Sequence, residues 1–516
     1  MSKKFSSTVA GGAIIITFFG LLGRGLGIIR EAVFANYFGL STNFDLYLIG
    51  AVLPITINSI ILYLAQNFYI PNYNKAKSVS EQKAQRFRSV AFVGFTLLGL
   101  ITALILFSIS DQIIKLYVQN VKLKDILIAK NVFNIFIITI PFSFSISILS
   151  AILNADFEFK FPSFSQLYLN VAIIIVVLFF ADSIGIFSIA WGYLIGTIIQ
   201  FTYLYYKTNH VSKISYKKLQ LSELTSFFSL SFLLIIFIES IGQIYSLADR
   251  FLYYRVDSGG IAALNYAFII FLIPISIFSL SLSTAILPKL SEMAIDNSIE
   301  EKSENIKHYF GVNLFLIVPI TLILLLQGDF IIKILFERGQ FSPGDSNITF
   351  SAMRFYAVSL IFYSSYAGIN KLAYSSGLIK ELFVVAVFTS VIKIGLNFIL
   401  VDPMKQNGLA LSSSVSFLFL FLGTYFISLR NKLIVSKGGF TKQLVINLTN
   451  GIFSYLISII LLNNLFHKSN LLEIFQIILF ILIFLSIAKL TDQYYLNVYI
   501  ETFKKIINIK TSLKRF

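Results

Sequence analysis

The stretch Gly20–Gly39, "GLLGRGLGIIREAVFANYFG", has the apolar content of a membrane helix, yet it carries Arg24, Arg30 and Glu31. The apolar run begins upstream at Val9, so about 15 residues precede Arg24 in the same helix. At about 1.5 Å per residue this places Arg24 near the middle of a bilayer. A charge at that depth costs about 2.5–3.5 kcal/mol and normally faces a bundle interior or water. Two readings follow. The guanidiniums of Arg24 and Arg30 can hold helices together by pairing with Glu31, Asp45 or Glu239. Alternatively they line a cavity that receives an anion. Gly20, Gly23, Gly25 and Gly27 crowd the segment, and glycine both weakens a helix and permits close approach.

The rest of the chain sets the context. Of 516 residues, 57% are hydrophobic and only 13% charged, about half the charge of a soluble domain. Apolar segments recur along the whole length, giving about 14 candidate spans from Val9–Phe38 to Leu471–Leu490. The fold expected is an all-α polytopic membrane protein. The "MSKK" start followed by an uninterrupted apolar run is read as a retained first helix, not a cleaved signal.

The net charge of +16 belongs to loops, not to a nucleic-acid surface, because no soluble domain is left to carry one. With the N-terminus inside, the cytoplasmic loops hold Lys75, Lys77, Lys83, Arg86 and Arg88, then Lys207, Lys213, Lys217 and Lys218, then Arg430, Lys432, Lys437 and Lys442. The tail adds Lys504, Lys505, Lys510, Lys514 and Arg515. This bias predicts that both termini are cytoplasmic.

A repeat runs through the chain. Shifted by 220 residues, Arg30 meets Arg250, Gly39 meets Gly259, Pro54 meets Pro274 and Ile57 meets Ile277. Nearby shifts match Pro71 with Pro288, Asn154 with Asn370 and Asp182 with Asp402. Six spans are therefore repeated in the next six, in parallel orientation. The lobes expected are 1–220 and 221–441, followed by two extra helices and a basic tail over 442–516. Parallel repeats place a substrate site between the halves, near mid-membrane. Further cavity candidates among the charges in or beside spans are Asp249, Arg250, Arg354 and Lys393. Prolines Pro54, Pro141, Pro274 and Pro319 mark kinks.

Enzyme signatures are missing. No GxxxxGK[ST], HExxH, GxSxG or strand-borne GxGxxG occurs, and the absence of cysteine excludes thiolate metal sites and disulfides. The chain reads as a transporter with no cofactor and no metal site. Its drive would come from an ion gradient, the membrane potential or substrate flux.

Three passages carry a family resemblance: "GRGLGIIREAVFANYFG…FDLYLIGAVLP", "ADRFLYYRVDSGGIAALNYA…STAILPKLSE" and "ILFERGQFSPGDS". From about Gly20 to about Leu429 the chain resembles the MviN/MurJ-type flippases of the MOP exporter superfamily. The resemblance implies two six-helix lobes around a central cavity, plus two C-terminal helices. It implies movement of an undecaprenyl-pyrophosphate-linked saccharide, of the lipid II type, across a bacterial inner membrane. Cell-wall or glycan synthesis enzymes are the partners implied. Arg24 and Arg30 match the family's first-helix cavity arginines, and Asp45 matches an acidic position at the start of the second helix. The arginines that the family carries after the "LP" of helix two are replaced here by Asn58 and Ser59. The family's Asp-Arg after "NYA" is replaced by Phe268 and Ile269. A capsule, O-antigen or exopolysaccharide unit is the alternative cargo. A cation-coupled multidrug exporter, which should show acidic rather than basic spans, and a non-transporting scaffold are the further alternatives.

Overall fold

The computed structural model describes residues 9–119, 122–212, 230–279, 299–434, 439–463 and 470–491. Lys213, Lys217, Lys218, Lys437, Pro288, the end of the eighth span and the tail cations from Lys504 to Arg515 lie outside the described residues.

Every described element is helical. The first seven are α1 (Val9–Phe38), α2 (Thr42–Val79), α3 (Glu81–Ser108), α4 (Ser110–Tyr117), α5 (Leu123–Ala155), α6 (Lys160–Ile184) and α7 (Phe187–Ser212). A broken helix follows as α8 (Leu230–Glu239) and α9 (Ile241–Phe251). Then come α10 (Gly260–Pro274), α11 (Ile299–Phe336), α12 (Pro343–Ser375), α13 (Ile379–Arg430), α14 (Gly439–Asn463) and α15 (Asn470–Leu490). Among the described residues, ten helices are long and apolar enough to cross a membrane. Their outward faces are apolar: Leu104, Phe179, Ile399 and Ile460 are each more than half exposed. Such faces are stable against lipid, which offers no competing hydrogen bonds.

Each of the expected spans falls on a helix, with local differences. The span expected at Leu224–Ala248 is divided at Ser240 into α8 and α9. The two expected at Leu382–Val401 and Leu409–Leu429 form the single run α13, broken at Lys405 (φ 51°, ψ −132°). Its 52 residues would span about 78 Å as one rod, more than twice a bilayer core, so the break is a turn between two crossings. Of the kink prolines, Pro274 is followed by a π-helical turn at Ile275–Ser279, a usual response to a missing N–H donor. In α11 the non-helical residue is Gln327, not Pro319.

The shift of 220 residues recurs in the backbone. Leu123–Ala155 (α5) falls on Pro343–Ser375 (α12), each of 33 residues. Left-handed residues pair at the same shift: Gly39 with Gly259, Phe157 with Gly377, and Gly185 with Lys405. The helix ends before Phe157 and Gly377 close by the same six-residue bond, Glu158 N–H to Leu153 O at 2.8 Å and Leu378 N–H to Ala373 O at 3.0 Å. A left-handed residue with this bond is a common helix stop.

The chain forms two compact units. The first comprises Met1–Ala263, Leu335–Ser346 and Ile394–Leu409; the second comprises Leu264–Ile334, Asn347–Lys393 and Ala410–Phe516. In the first, α5 is central and packs on α2, α3 and α7, while α6 joins α7 to α1. The second is rich in packed rings, including Phe271, Tyr356, Tyr363 and Phe417, and it buries Phe315 against Phe484 of α15.

Lys405 adopts a backbone conformation that its repeat partner Gly185 reaches without a side chain. Such a conformation costs a non-glycine residue about 1–3 kcal/mol. Lys405→Gly should therefore raise the thermal midpoint of the purified protein, and Gly185→Ala should lower it. Thermal unfolding in detergent checks both, and unchanged midpoints would remove the strain argument.

Candidate functional site

Arg30 lies on α1, facing α6 and α7. Its guanidinium pairs with Glu31, which is 5% exposed, through Nε (3.2 Å) and Nη2, and its Nη1 donates to Asn170 Oδ1 at 3.1 Å. The Tyr193 and Phe34 rings lie 5.6 and 5.7 Å from it. A guanidinium is planar, and its five N–H donors suit this mixture of in-plane acceptors and ring faces. Helical spacing explains the placement, since α1 turns Arg30 inward while Glu31 is near enough to neutralise it.

Beside Arg30 the first unit encloses a cavity of about 330 Å³, at the small end of the range for ligand sites. Residues from α1, α2, α5, α6 and α7 line it, and Arg30 is the charged one among them. The remaining polar groups are neutral, notably Asn58, Ser147, Gln166, Asn170 and Gln200, with Phe136 and Tyr193 as aromatic walls. Asn58 and Ser59, which stand where the family resemblance leads one to expect arginine, both line this cavity. Both readings of the buried cation are therefore realised in Arg30: it is ion-paired, and it faces an open space.

The other expected site residues are scattered. Arg24 is on α1, exposed, and not part of the cavity lining. Six residues of helix separate it from Arg30, which sets the two about 120° apart around the axis and about 9 Å apart along it. Close packing does not explain the glycines around it, because a Cβ at Gly20, Gly25 or Gly27 would meet nothing within 4 Å. Asp45, fully buried, serves a different purpose from a cavity acid. Its Oδ2 accepts from Gly259 N–H at 2.6 Å and its Oδ1 from Ala262 N–H at 2.7 Å. It thus caps the first turn of α10, satisfying donors that have no partner within the helix.

Around this cap the loops interlock. Gln340 N–H donates to Asn36 O at 2.8 Å, and Thr42 Oγ1 lies 2.6 Å from Ser258 Oγ. Gly339 is left-handed, and a Cβ there would lie 2.2 Å from Asn36 O. The "ERGQF" motif therefore serves to seat this loop against the end of α1.

Asp249 and Arg250 are buried in the first unit. Asp249 accepts from Asn397 Nδ2 at 3.0 Å, and Arg250 donates to Ser246 O at 3.3 Å. Glu239 ends α8 and is half-buried. In the second unit Arg354 lies over the Phe350 ring at 4.1 Å, and Lys393, fully buried, donates to Ser412 Oγ at 2.9 Å. None of these five lines the cavity beside Arg30. Where the family resemblance implies Asp-Arg, Phe268 packs on Phe271 and Tyr356.

Sequence reasoning missed two features. Arg88 is not a loop cation but is buried, donating to Tyr73 Oη at 2.6 Å and to Asp156 Oδ2 at 3.3 Å. The neutral polar lining was also missed, although Ser143, Ser147 and Ser150 follow the spacing of one helix face and line the cavity together.

A polytopic helical membrane protein with a polar cavity inside a helical lobe belongs to the class of membrane transporters. The profile of the family "Lipid II flippase MurJ" matches residues 34–483, and the chain belongs to that family. It is 26% identical over 484 residues to the probable lipid II flippase MurJ of Thermotoga maritima, covering 92% of this chain and 94% of that one. With the probable lipid II flippase MurJ of Borreliella burgdorferi it shares 25% identity over 438 residues, covering 83% and 84%. A solved lipid II flippase MurJ in an inward closed conformation superposes with a TM-score of 0.80 at 25% identity, covering 93% of this chain and 98% of that one. An inward-facing MATE multidrug transporter of the MOP superfamily matches at a TM-score of 0.63 and 11% identity, covering 79% and 94%. That likeness is one of fold alone.

The Asp45 cap has a measurable weight. Asp45→Ala removes both acceptors and should destabilise the protein by about 2 kcal/mol, near the upper end for a helix cap. Asp45→Asn keeps one acceptor and should cost about half as much. Thermal unfolding of the purified variants gives the order, and an alanine variant as stable as wild type would rule out the capping role.

Proposed function

We propose that this chain carries lipid II from the inner to the outer leaflet of a bacterial plasma membrane by alternating access. Membership of the lipid II flippase family supports the substrate. The observation that carries the mechanism is a guanidinium, Arg30, opening on a polar cavity inside a lobe whose outer faces are apolar. A diphosphate and sugars cross hydrocarbon only at great cost, so a path must replace their water with fixed polar groups. Arg24, exposed on the same helix, is the group free to meet phosphate oxygens, for which a guanidinium fork is well shaped. Asp45 holds its loop in one state, and the interlock of Asn36, Gly259 and Gln340 must loosen for the path to open the other way. Both termini lie in the cytoplasm, as the distribution of Lys and Arg indicates. No cofactor takes part, and an ion gradient or the membrane potential supplies the drive. Enzymes that make and use the lipid-linked precursor are the neighbours expected.

Cells depleted of their own lipid II flippase test this reading. Expression of the chain should restore growth and outer-leaflet lipid II. Arg24→Ala should abolish rescue at normal protein level. Arg30→Ala alone leaves Glu31 buried without its counter-charge, a defect worth about 3–5 kcal/mol. The double variant Arg30→Ala/Glu31→Gln removes both charges and separates folding from transport; it should be made at normal level and fail to rescue. Absence of rescue by a well-expressed wild type, or full rescue by both variants, would reject the proposal.

A further inference from the structure

Hydrogen-bond polarity distinguishes what the cavity beside Arg30 can hold. A hydroxyl has one proton to donate and lone pairs to accept with. Around this cavity the protons are already committed to the helices. Ser59 Oγ donates to Ile55 O at 2.9 Å, Ser147 Oγ to Ser143 O at 2.7 Å, and Thr197 Oγ1 to Tyr193 O at 2.7 Å. Thr139 Oγ1 donates to Phe136 O at 2.6 Å, so it can only accept from Asn58 Nδ2, 3.5 Å away. That arrangement fixes the Asn58 amide and leaves its Oδ1, a buried acceptor, without a partner among the described residues. Gln200 likewise directs its Nε2 to Ser165 Oγ at 3.1 Å. The neutral part of the lining therefore presents lone pairs. Buried acceptors are costly until a donor meets them.

The charge balance points the same way. Arg30 is matched by Glu31, so the site carries no net charge with which to hold a dianion or to attract a cation. Phosphate oxygens only accept hydrogen bonds and would face lone pairs here. A sugar brings several O–H donors and, if N-acetylated, an N–H as well. Tyr193 and Phe136 supply ring faces for the apolar side of a pyranose. We infer that this cavity is a subsite for the uncharged saccharide of the cargo, with Asn58 Oδ1 as its principal acceptor, and that the diphosphate stays outside it. The inference rests on the lipid-linked substrate proposed above and divides that substrate between two places on α1.

The test uses the full-length chain in lipid nanodiscs and saturation-transfer NMR with two probes: N,N′-diacetylchitobiose, a neutral disaccharide, and inorganic pyrophosphate. The disaccharide should bind the wild type and be displaced by lipid II. Asn58→Leu should weaken it about tenfold, the equivalent of about 1.4 kcal/mol for one lost acceptor. Ser147→Val, which leaves the size of the site nearly unchanged, should weaken it less. Pyrophosphate should bind independently of Asn58. Circular dichroism and thermal unfolding establish that both variants are folded. No disaccharide binding by the wild type, binding that ignores both variants, or binding that lipid II leaves untouched (a site for free sugar) overturns the inference. So does pyrophosphate binding that is lost with Asn58→Leu. Failure of the chain to rescue flippase-depleted cells, while disaccharide binding still follows Asn58, rejects lipid II as cargo and leaves the saccharide subsite standing.

Discussion

A guanidinium inside an apolar bundle must be matched by an acid or by many acceptors, because its desolvation is too costly to leave unanswered. Arg30 is matched by Glu31 one residue away, by Asn170 from α6 and by the Tyr193 ring from α7. That set fixes how α1 sits on α6 and α7. It also makes the neighbouring cavity polar yet electrically balanced. The same rule shapes Asp45, whose charge is spread over two backbone donors at a helix start, and Arg88, which is answered by Tyr73 and Asp156.

The duplication is a second constraint, written more clearly in the backbone than in the side chains. Few residues are identical at a shift of 220, yet helix ends and left-handed residues coincide there. Helix length must fit the thickness of the bilayer, and a helix must stop where its connector begins. Both requirements persist while side chains diverge. Lys405 illustrates this, holding a conformation that Gly185 occupies in the first copy. What has diverged is chemistry: Arg30 opens on a cavity, whereas its repeat partner Arg250 is buried and donates to Ser246 O.

Much of the architecture was legible in the residues. Apolar length alone located the helices, because spanning hydrocarbon demands it, and it erred only at breaks such as Ser240 and Lys405, where no proline or glycine marks the position. The charged site was partly legible. Arg30 and Glu31 were visible as an anomaly, and the structure joins them. Asp45 looked like a cavity acid because sequence does not reveal that the backbone of Gly259 and Ala262 is its partner. Asn58, Thr139 and Ser147 carry no charge and pass unnoticed in apolar helices, although the serine stripe on α5 had a readable period.

By itself the sequence determined the class: an all-α membrane chain, its family, its internal repeat and the presence of arginines where lipid disfavours them. These follow from composition and spacing, which are local. Tertiary structure alone decided which polar groups meet. It set Arg30 at a cavity and turned Arg24 about 120° away, committed Asp45 to a helix start, and directed the serine and threonine protons back to their own helices. The physical reason is that hydrogen bonds and ion pairs are short-ranged and directional. Their outcome depends on the packing of segments far apart in the chain, which no local pattern encodes.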